Sequence, residues 1–247
     1  HEINNPNNSI TLNARFLEKS WQSILPILEE YYKEDHFLQI GGIPYKRFRE
    51  NTPFLFSGIL DSSKRIKHIV EELKEFARKD TGGTNVSIDL NAVVESAAGL
   101  LNNIIKKSTH HFEMTLEKQL PLILGDYRRL EQVIINLVQN ACQALTSPAQ
   151  HIVVSSHHDR ERRQVILKVK DEGKGIKKKD LKYITEPFFT TRRSSGGTGL
   201  GLSVSSRIID DHGGTLRFIT ETGKGTTAEI RFPVFKKKGK GGKKSNG

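Results

Sequence analysis

Residues 128–145 read R-R-L-E-Q-V-I-I-N-L-V-Q-N-A-C-Q-A-L, and the rest of the fold has to be built around this stretch. Its apolar residues recur at helical spacing, which predicts an amphipathic helix with one broad buried face. Asn136 and Asn140 are four residues apart and therefore share a face of that helix. Paired amide oxygens suit a Mg²⁺ ion that takes its other ligands from water and phosphate. An ordinary polar helix face is the alternative interpretation of this stretch alone.

Two glycine-containing segments follow this helix. Residues 169–176 read V-K-D-E-G-K-G-I, in which Asp171 could accept a hydrogen bond from an exocyclic amine such as that of adenine, while Gly173 and Gly175 permit a tight turn. Residues 196–202 read G-G-T-G-L-G-L and run directly into a helical pattern, whose free N–H groups would suit a phosphate. The stretch lacks the Lys-Ser/Thr ending of a P-loop, and its glycine spacing is not that of a G-x-G-x-x-G motif, so both motifs are excluded.

An aromatic and basic segment lies between these two. Residues 186–193 read E-P-F-F-T-T-R-R, with two adjacent aromatic residues before two hydroxyl groups and two guanidinium groups. Arg192 or Arg193 could hold a terminal phosphate through two parallel hydrogen bonds. Further along, residues 223–230 read G-K-G-T-T-A-E-I, which on its own predicts a hairpin turn.

The first 80 residues follow a different pattern. Apolar residues at seven-residue spacing run from residue 3 to 28, with an expected disturbance at Pro26, and a second repeat runs from residue 54 to about 79. The repeats predict a helical hairpin whose extra apolar surface requires a dimeric four-helix bundle. Residues 36–52 are predicted to be an elaborated connection, and the glycines within 80–85 mark a domain boundary.

Beyond residue 85 the pattern changes to interspersed helices and strands, which predicts an α+β sandwich. Strands are predicted at 86–90, 111–117, 152–157, 164–171, 215–220 and 226–232. Helices are predicted at 91–107, 128–145 and 199–211. The predicted fold is therefore multi-domain, an all-α hairpin followed by an α+β sandwich.

The composition excludes several classes of protein. No run approaches the roughly 18 apolar residues of a membrane span, and the first residues lack the pattern of a secretory signal. A single cysteine, Cys142, excludes a disulfide framework and favours a reducing compartment, so we expect a cytoplasmic segment. The formal net charge is +11, but six lysines lie in residues 236–247, a tail predicted to be disordered and solvated. No specific nucleic-acid partner is expected.

The chain opens with H-E-I-N-N-P. His1 falls off the apolar seam of the first repeat, where a partner can reach it. Glu2 could orient the imidazole and take its proton while the other ring nitrogen attacks a phosphorus atom. Pro6 removes a backbone donor and is expected to bend the helix near the histidine. A solvated His–Glu pair is the alternative interpretation of this hexapeptide alone.

Taken in this order, the motifs resemble those of the sensor histidine kinases of two-component systems. In that family a dimerisation and histidine-phosphotransfer hairpin precedes an ATP-binding domain of the Bergerat type. The resemblance covers the chain up to about Phe235 and implies three parts: residues 1–80 as the hairpin, 81–235 as the catalytic domain and 236–247 as a basic tail. The family's first helix starts a few turns before the position of His1, which implies a fragment of a longer protein.

Residue by residue, the resemblance implies specific roles. His1 matches the phosphoacceptor, Glu2 its acidic neighbour, and Asn5 the polar position that assists phosphatase activity. Asn136 and Asn140 match the asparagines that hold Mg²⁺ on the ATP phosphates. The other positions implied to contact ATP belong to the glycine boxes, the aromatic box and the lid: Asp171 at the adenine, Gly173, Gly175, Phe188, Phe189, Thr191, Arg192, Gly197, Thr198, Gly199, Leu200, Gly201, Gly223, Gly225 and Thr226.

The resemblance implies a homodimer that uses ATP and Mg²⁺ to phosphorylate His1 and then transfers the phosphoryl group to an aspartate in a response-regulator receiver domain. Phosphatase activity toward that regulator, an upstream sensory domain and a membrane anchor of the full-length protein are further implications. Two alternatives stay open. One is an ATPase of the same nucleotide fold that does not phosphorylate histidine. The other is a non-enzymatic dimerising scaffold or nucleic-acid binder that uses the basic tail.

Overall fold

The computed structural model describes residues 2–77, 86–192 and 197–235, and the chain divides into two compact units, His1–Ala77 and Arg78–Gly247. The predicted features that lie outside the described residues are His1, the boundary at 80–85, Arg193 and the tail at 236–247. Among the helices described, none combines the length and the apolar content that crossing a membrane requires.

The amino-terminal unit is a hairpin of two long helices. Helix α1 spans Asn4–Glu34 and helix α2 spans Tyr45–Ala77. Between them lie two short antiparallel strands, β1 (Gln39–Ile40) and β2 (Ile43–Pro44). Helix α1 continues through Pro26, so the disturbance expected there does not end the helix.

The connection predicted at residues 36–52 is wrong over its second half, because α2 begins at Tyr45. Tyr45 is buried, and the ring of Phe48 packs edge-on against Trp21 with 5.4 Å between the ring centroids. Tyr45, Phe48 and the buried Thr52 are spaced at i, i+3 and i+7, which is a helical pattern. The prolines on either side of this short segment concealed the pattern in the sequence.

Pro6 lies in the first turn of α1 as the structure describes it, because this helix begins at Asn4. The backbone N–H of Asn7 donates to the Ile3 carbonyl at 3.3 Å, and the helix proceeds from there. The bend expected at Pro6 stays a prediction.

A buried polar cluster joins α1 and α2 near the start of the chain. Asn7 Nδ2 donates to the Ser63 carbonyl oxygen at 2.8 Å, and Ser63 Oγ donates to Asn7 Oδ1 at 2.9 Å. The hydroxyl oxygens of Thr11 and Ser63 are 2.5 Å apart. Ser63, which interrupts the apolar repeat in the sequence, thus completes a hydrogen-bonded pair that fixes the register of the two helices.

The carboxy-terminal unit is built on a five-stranded sheet. Its elements in chain order are β3 (Val86–Ile88), α3 (Leu90–Ser108), β4 (His111–Leu116), β5 (Ile123–Gly125), α4 (Tyr127–Ala144), β6 (His151–Asp159), β7 (Gln164–Asp171), α5 (Lys178–Leu181), α6 (Gly201–Asp211), β8 (Thr215–Glu221) and β9 (Gly225–Pro233). The strand order is β4-β6-β7-β9-β8, with β4 parallel to β6 and the other pairs antiparallel. Helices α4 and α6 pack on this sheet, and α3 packs beside α4.

The predicted fold class is confirmed: a helical hairpin precedes a mixed unit of helices and strands. The six predicted strands and three predicted helices of the second unit are present, with ends that shift by at most two residues. The short elements β5 and α5 were missed, because three or four residues carry too little periodicity to identify.

Replacing Ser63 with alanine is expected to lower the free energy of unfolding of the hairpin by about 1–2 kcal/mol, because the buried Asn7 oxygen loses a donor. Urea unfolding followed by the fluorescence of Trp21, the single tryptophan, measures this change. Ser62→Ala, at the exposed neighbouring position, is the matched control and should change the value by less than about 0.5 kcal/mol. Equal unfolding midpoints for the two variants would contradict the structural role of the cluster.

Candidate functional site

Two asparagines on one face of α4 lie beside the start of α6. Asn136 Nδ2 donates to Ser205 Oγ at 2.8 Å, and Asn140 Nδ2 donates to Asn136 Oδ1 at 3.2 Å. A Cβ atom at Gly201 would lie 2.4 Å from Asn136 Oδ1, so the first turn of α6 approaches α4 as closely as only glycine allows. Both asparagine side chains are therefore held in fixed orientations at the contact of the two helices.

A guanidinium group from the segment before α6 contacts the same face of α4. Arg192 Nη2 donates to Asn140 Oδ1 at 2.7 Å, and Arg192 Nη1 donates to Gln143 Oε1. Burial lowers the pKa of Arg192 from its ordinary value, because the charged form loses solvation. The Asn140 oxygen thus already faces a cation, which is the property that a metal ligand needs.

A buried carboxylate lies at the end of the central strand β7. Asp171 is 6% exposed, and its Oδ1 accepts from the backbone N–H groups of Gly173 at 2.8 Å and Thr226 at 3.3 Å. Burial raises the pKa of Asp171, while these two bonds oppose the rise. Because both bonds described go to Oδ1, Oδ2 is left to accept from a further donor.

Three glycines bring the backbone close to Asp171 and α4. A Cβ atom at Gly173 would lie 2.4 Å from the Ala144 carbonyl oxygen, and one at Gly225 would lie 1.9 Å from the carbonyl oxygen of Asp171. Gly175 and Gly225 also have positive φ angles, +67° and +99°, which side-chain-bearing residues rarely adopt. The turns around the carboxylate therefore require glycine both for space and for conformation.

The aromatic pair lies in a strained turn next to the glycine-rich segment. Phe188 has a φ angle of +66° and is 54% exposed, and its backbone N–H donates to the Gly199 carbonyl at 3.0 Å. The ring of Phe189 packs against Tyr183 with 5.7 Å between centroids. The backbone N–H of Gly197 donates to the Arg192 carbonyl at 2.9 Å.

Helix α6 begins at Gly201, two residues later than predicted. Its N-cap residue, Leu200, is buried and provides no side-chain cap, and Thr198 Oγ1 accepts from the Leu200 N–H at 3.3 Å. The first N–H groups of a helix lack intrahelical partners and carry the positive end of the helix dipole. The start of α6 therefore suits an anionic group such as a phosphate.

Contacts link the predicted residues of the second unit into one continuous region. The turn at Gly173 meets the end of α4, Arg192 meets the asparagine face of α4, and Gly201 meets the same face from α6. Thr191 lies exposed beside Arg192, and Gly223 lies in the turn between β8 and β9 with open space around it. We call this continuous region the α4–α6 cleft.

The residues of the opening hexapeptide belong to the other unit. Glu2 precedes α1 and Asn5 lies in its first turn, and both are exposed. His1 lies outside the described residues. Across the described parts of both units, no group of three or more His, Cys, Asp or Glu side chains could hold a metal ion.

Sequence reasoning missed two residues that orient the predicted ones. Gln143, which binds Arg192, lies three residues after Asn140 and so on the same helix face, and that spacing could have identified it. Ser205, which binds Asn136, lies one turn after Gly201 in α6. Its role depends on how the two helices cross, for which the sequence carries no local signal.

One family model matches most of the second unit. It is described as histidine kinase-, DNA gyrase B- and HSP90-like ATPase, and it matches residues 125–236, from the last residue of β5 to just beyond β9. All elements of the α4–α6 cleft fall within this match.

Known sequences give a consistent result. The chain is 38% identical over 234 residues to a putative sensor protein of Shewanella frigidimarina, covering 95% of this chain and 35% of that protein. It is 36% identical over 170 residues to the sensor histidine kinase ZraS of Escherichia coli, covering 69% and 35%. It is 31% identical over 197 residues to sporulation kinase A of Bacillus subtilis, covering 80% and 31%. The chain thus spans about a third of the length of these relatives.

Solved structures agree in fold. Full-length ShkA in complex with AMPPNP superposes with a TM-score of 0.64 at 22% identity, covering 74% of this chain and 39% of that one. The catalytic domain of the histidine kinase ThkA gives a TM-score of 0.53 at 31% identity, covering 60% of this chain and 97% of that one.

Asp171→Asn is expected to raise the stability of the second unit at pH 7 by about 1 kcal/mol, because it removes a buried charge and keeps the accepting oxygen. The pKa of Asp171 is raised in the folded protein, so the protonated carboxyl of the wild type favours the folded state at low pH. That contribution to wild-type stability is lost as pH rises through the folded pKa. The gain should therefore disappear toward pH 3, below the ordinary aspartate pKa of about 3.9.

Calorimetric unfolding from pH 3 to pH 8 measures this dependence. Glu161→Gln removes one negative charge at an exposed position of the same unit and serves as the control for net charge. A gain for Asp171→Asn that does not vary with pH would show that burial of the carboxylate is not its cause.

Proposed function

Because the chain belongs to the sensor histidine kinase family, we propose that it uses ATP and Mg²⁺ to phosphorylate His1 and then passes the phosphoryl group to an aspartate in a response-regulator receiver domain. The α4–α6 cleft carries this proposal. It combines a buried carboxylate, two amide side chains, a guanidinium group and a helix start, which match the base, the metal and the phosphates of one nucleotide.

In this proposal each group of the cleft holds a part of ATP, and the described contacts support the arrangement. Asp171 Oδ2 accepts from the exocyclic amine of adenine, and the glycine turns let the ring approach the backbone. The phosphates lie at the start of α6, next to residues 188–192 and 197–200. Asn136 and Asn140 would hold Mg²⁺ through their amide oxygens, which fit a hard cation, and the ion would neutralise part of the charge of the phosphates.

The chain's own groups perform the transfer. Glu2 orients His1 and accepts a proton from one ring nitrogen while the other nitrogen forms the N–P bond. The bond between the γ-phosphorus and the bridging oxygen breaks, and ADP leaves. The guanidinium group of Arg192 donates hydrogen bonds to the terminal phosphate during the transfer. In the second step the N–P bond breaks and an O–P bond forms on the receiver aspartate. In the phosphatase reaction water breaks that O–P bond and releases inorganic phosphate, and Asn5 assists this hydrolysis.

The exposed seam of α1 supports a homodimer. Asn7 and Ala14 are buried against α2, whereas Ile3, Ile10 and Leu17, at the same seven-residue spacing, are each about half exposed in the single chain. A stripe of this kind on a long helix is stabilised when a second copy covers it. We therefore assign residues 1–80 to dimerisation and phosphotransfer, 81–235 to ATP binding and 236–247 to a basic tail.

The same proposal places this core in the cytoplasm, downstream of a sensory domain of the full-length protein. Cys142 is a free, buried thiol, and burial raises its pKa, so it stays in the unreactive protonated form. A free thiol and a receiver-domain partner both agree with a reducing compartment.

Incubation with γ-labelled ATP and Mg²⁺ tests the function. The wild-type chain, a version extended upstream and His1→Gln of each are compared, and the captured label is treated with acid. We expect acid-labile label that requires His1, because a phosphoramidate hydrolyses in acid whereas phosphate esters of serine survive. Nucleotide binding without label in the extended version would favour an ATPase, and absence of nucleotide binding would favour a scaffold.

Leu17→Glu is expected to shift the chain from dimer to monomer, since it places a charge in the proposed apolar seam. Sedimentation equilibrium measures the mass. Leu12→Glu is the matched control, because Leu12 is exposed on the opposite side of α1 and the dimer should persist. Dimers in both variants, or monomers in the wild type, would contradict the proposed seam.

A further inference from the structure

His212 forms a hydrogen-bonded bridge between α6 and α4. It follows the last residue of α6, and its ring nitrogen Nδ1 lies 2.6 Å from the Ile208 carbonyl oxygen of the same helix. Its other nitrogen, Nε2, accepts from the backbone N–H of Asp126 at 2.9 Å. Asp126 is the N-cap residue of α4, so the bridge reaches the first turn of the helix that carries the asparagines.

These two contacts determine the tautomer of His212. A backbone N–H is a donor only, so Nε2 facing Asp126 must carry a lone pair. A carbonyl oxygen is an acceptor only, so Nδ1 facing Ile208 must carry the proton. His212 therefore acts as a neutral imidazole, with one nitrogen bound locally and the other bound across to α4.

Residues around His212 leave space for its imidazole ring and pack against it. A Cβ atom at Gly125 would lie 2.4 Å from the His212 ring, so this glycine gives the imidazole its space. The ring also packs edge-on near Phe232, with 6.4 Å between centroids. Beside it an ion pair of 2.5 Å between Arg129 and Asp211 joins the same two helix ends.

The bridge and the α4–α6 cleft lie at opposite ends of the same helix pair. Asn136 is ten residues after Asp126, about 15 Å along α4, and it binds Ser205 near the start of α6. The helices are thus attached at the cleft and, at a separate position along both helices, by the His212 bridge together with the Arg129–Asp211 ion pair. Contacts at separated positions fix the angle and the register of the helices, and the His212 bond contributes to the second of them.

We infer that His212 is a positioning residue of the proposed nucleotide site, which holds α4 against α6 through the bond of Nε2 to the Asp126 N–H. This inference rests on the proposed function. His212 touches no nucleotide; it acts by keeping Asn136 and Asn140 aligned with the phosphate-binding start of α6.

Two substitutions separate the two hydrogen bonds of His212. The side-chain amide of glutamine reaches the place of Nε2, so His212→Gln keeps an acceptor for the Asp126 N–H. The amide of asparagine reaches only the place of Nδ1, so His212→Asn keeps the bond to Ile208 and loses the bridge. Val154→Ala, in the buried face of β6, is a control that reduces stability away from the bridge.

The affinity for ATP with Mg²⁺ is measured by calorimetric titration, together with hydrogen exchange of the Asp126 amide. We expect His212→Asn to weaken binding about tenfold and to speed exchange, His212→Gln to remain within about threefold of wild type, and Val154→Ala to lower the melting temperature without changing affinity. A loss of one hydrogen bond corresponds to about this factor.

Other outcomes overturn the inference. Equal affinities for the asparagine and glutamine variants would mean that the bridge does not position the site. A weakened Val154→Ala variant would mean that loss of stability alone explains the effect. If the wild type binds nucleotide but never phosphorylates His1, the proposed function fails, while the comparison of the two His212 variants still decides the role of the bridge.

Discussion

The close approach of α4 and α6 at Gly201 is the constraint on which the rest of the second unit depends. A side chain at Gly201 would displace the Asn136 amide, and that amide cannot move without losing its bond to Ser205. Helix α4 also packs on the central strand β7, so moving it would disturb the sheet. The glycine therefore sets the distance at which an asparagine face and a helix start oppose each other, and this opposition creates the α4–α6 cleft.

The charged groups in this cleft are partly withdrawn from water. Asp171 accepts from backbone N–H groups, and Arg192 donates to the side-chain amide oxygens of Asn140 and Gln143. Burial disfavours the charged form of each, which raises the pKa of the acid and lowers that of the base. Under the proposed function, the amine of a nucleotide would add a donor for the carboxylate, and its phosphates would add acceptors for the guanidinium group.

The sequence predicted those elements whose periodicity is long, and it missed contacts that depend on distant parts of the chain. Strand β7 carries three consecutive buried apolar residues, 165–167, followed by an alternating stretch up to Asp171, and its bounds were predicted to the residue. The start of α2 was missed because prolines flank its first two turns. The bridge from His212 to Asp126 joins residues 86 positions apart, and a histidine beside two glycines has no local pattern that identifies its partner. The sequence therefore predicted the helices and strands, whereas it did not predict the contacts that orient the site residues.

Each unit has a hydrogen-bonded asparagine–serine pair between two helices, near the residues that the proposed reaction uses. Asn7 pairs with Ser63 between α1 and α2, and Asn136 pairs with Ser205 between α4 and α6. Apolar helix faces remain attractive when one helix slides by a turn of 5.4 Å, so packing alone leaves the register weakly determined. The asparagine of either pair loses its partner on such a slide, and for the buried Asn7 the cost is about 1–3 kcal/mol. Misplacement of a reacting group by about 1 Å can reduce a rate about a hundredfold. A site assembled from separate helices therefore depends more on hydrogen bonds that select one helix register than on burying more apolar surface.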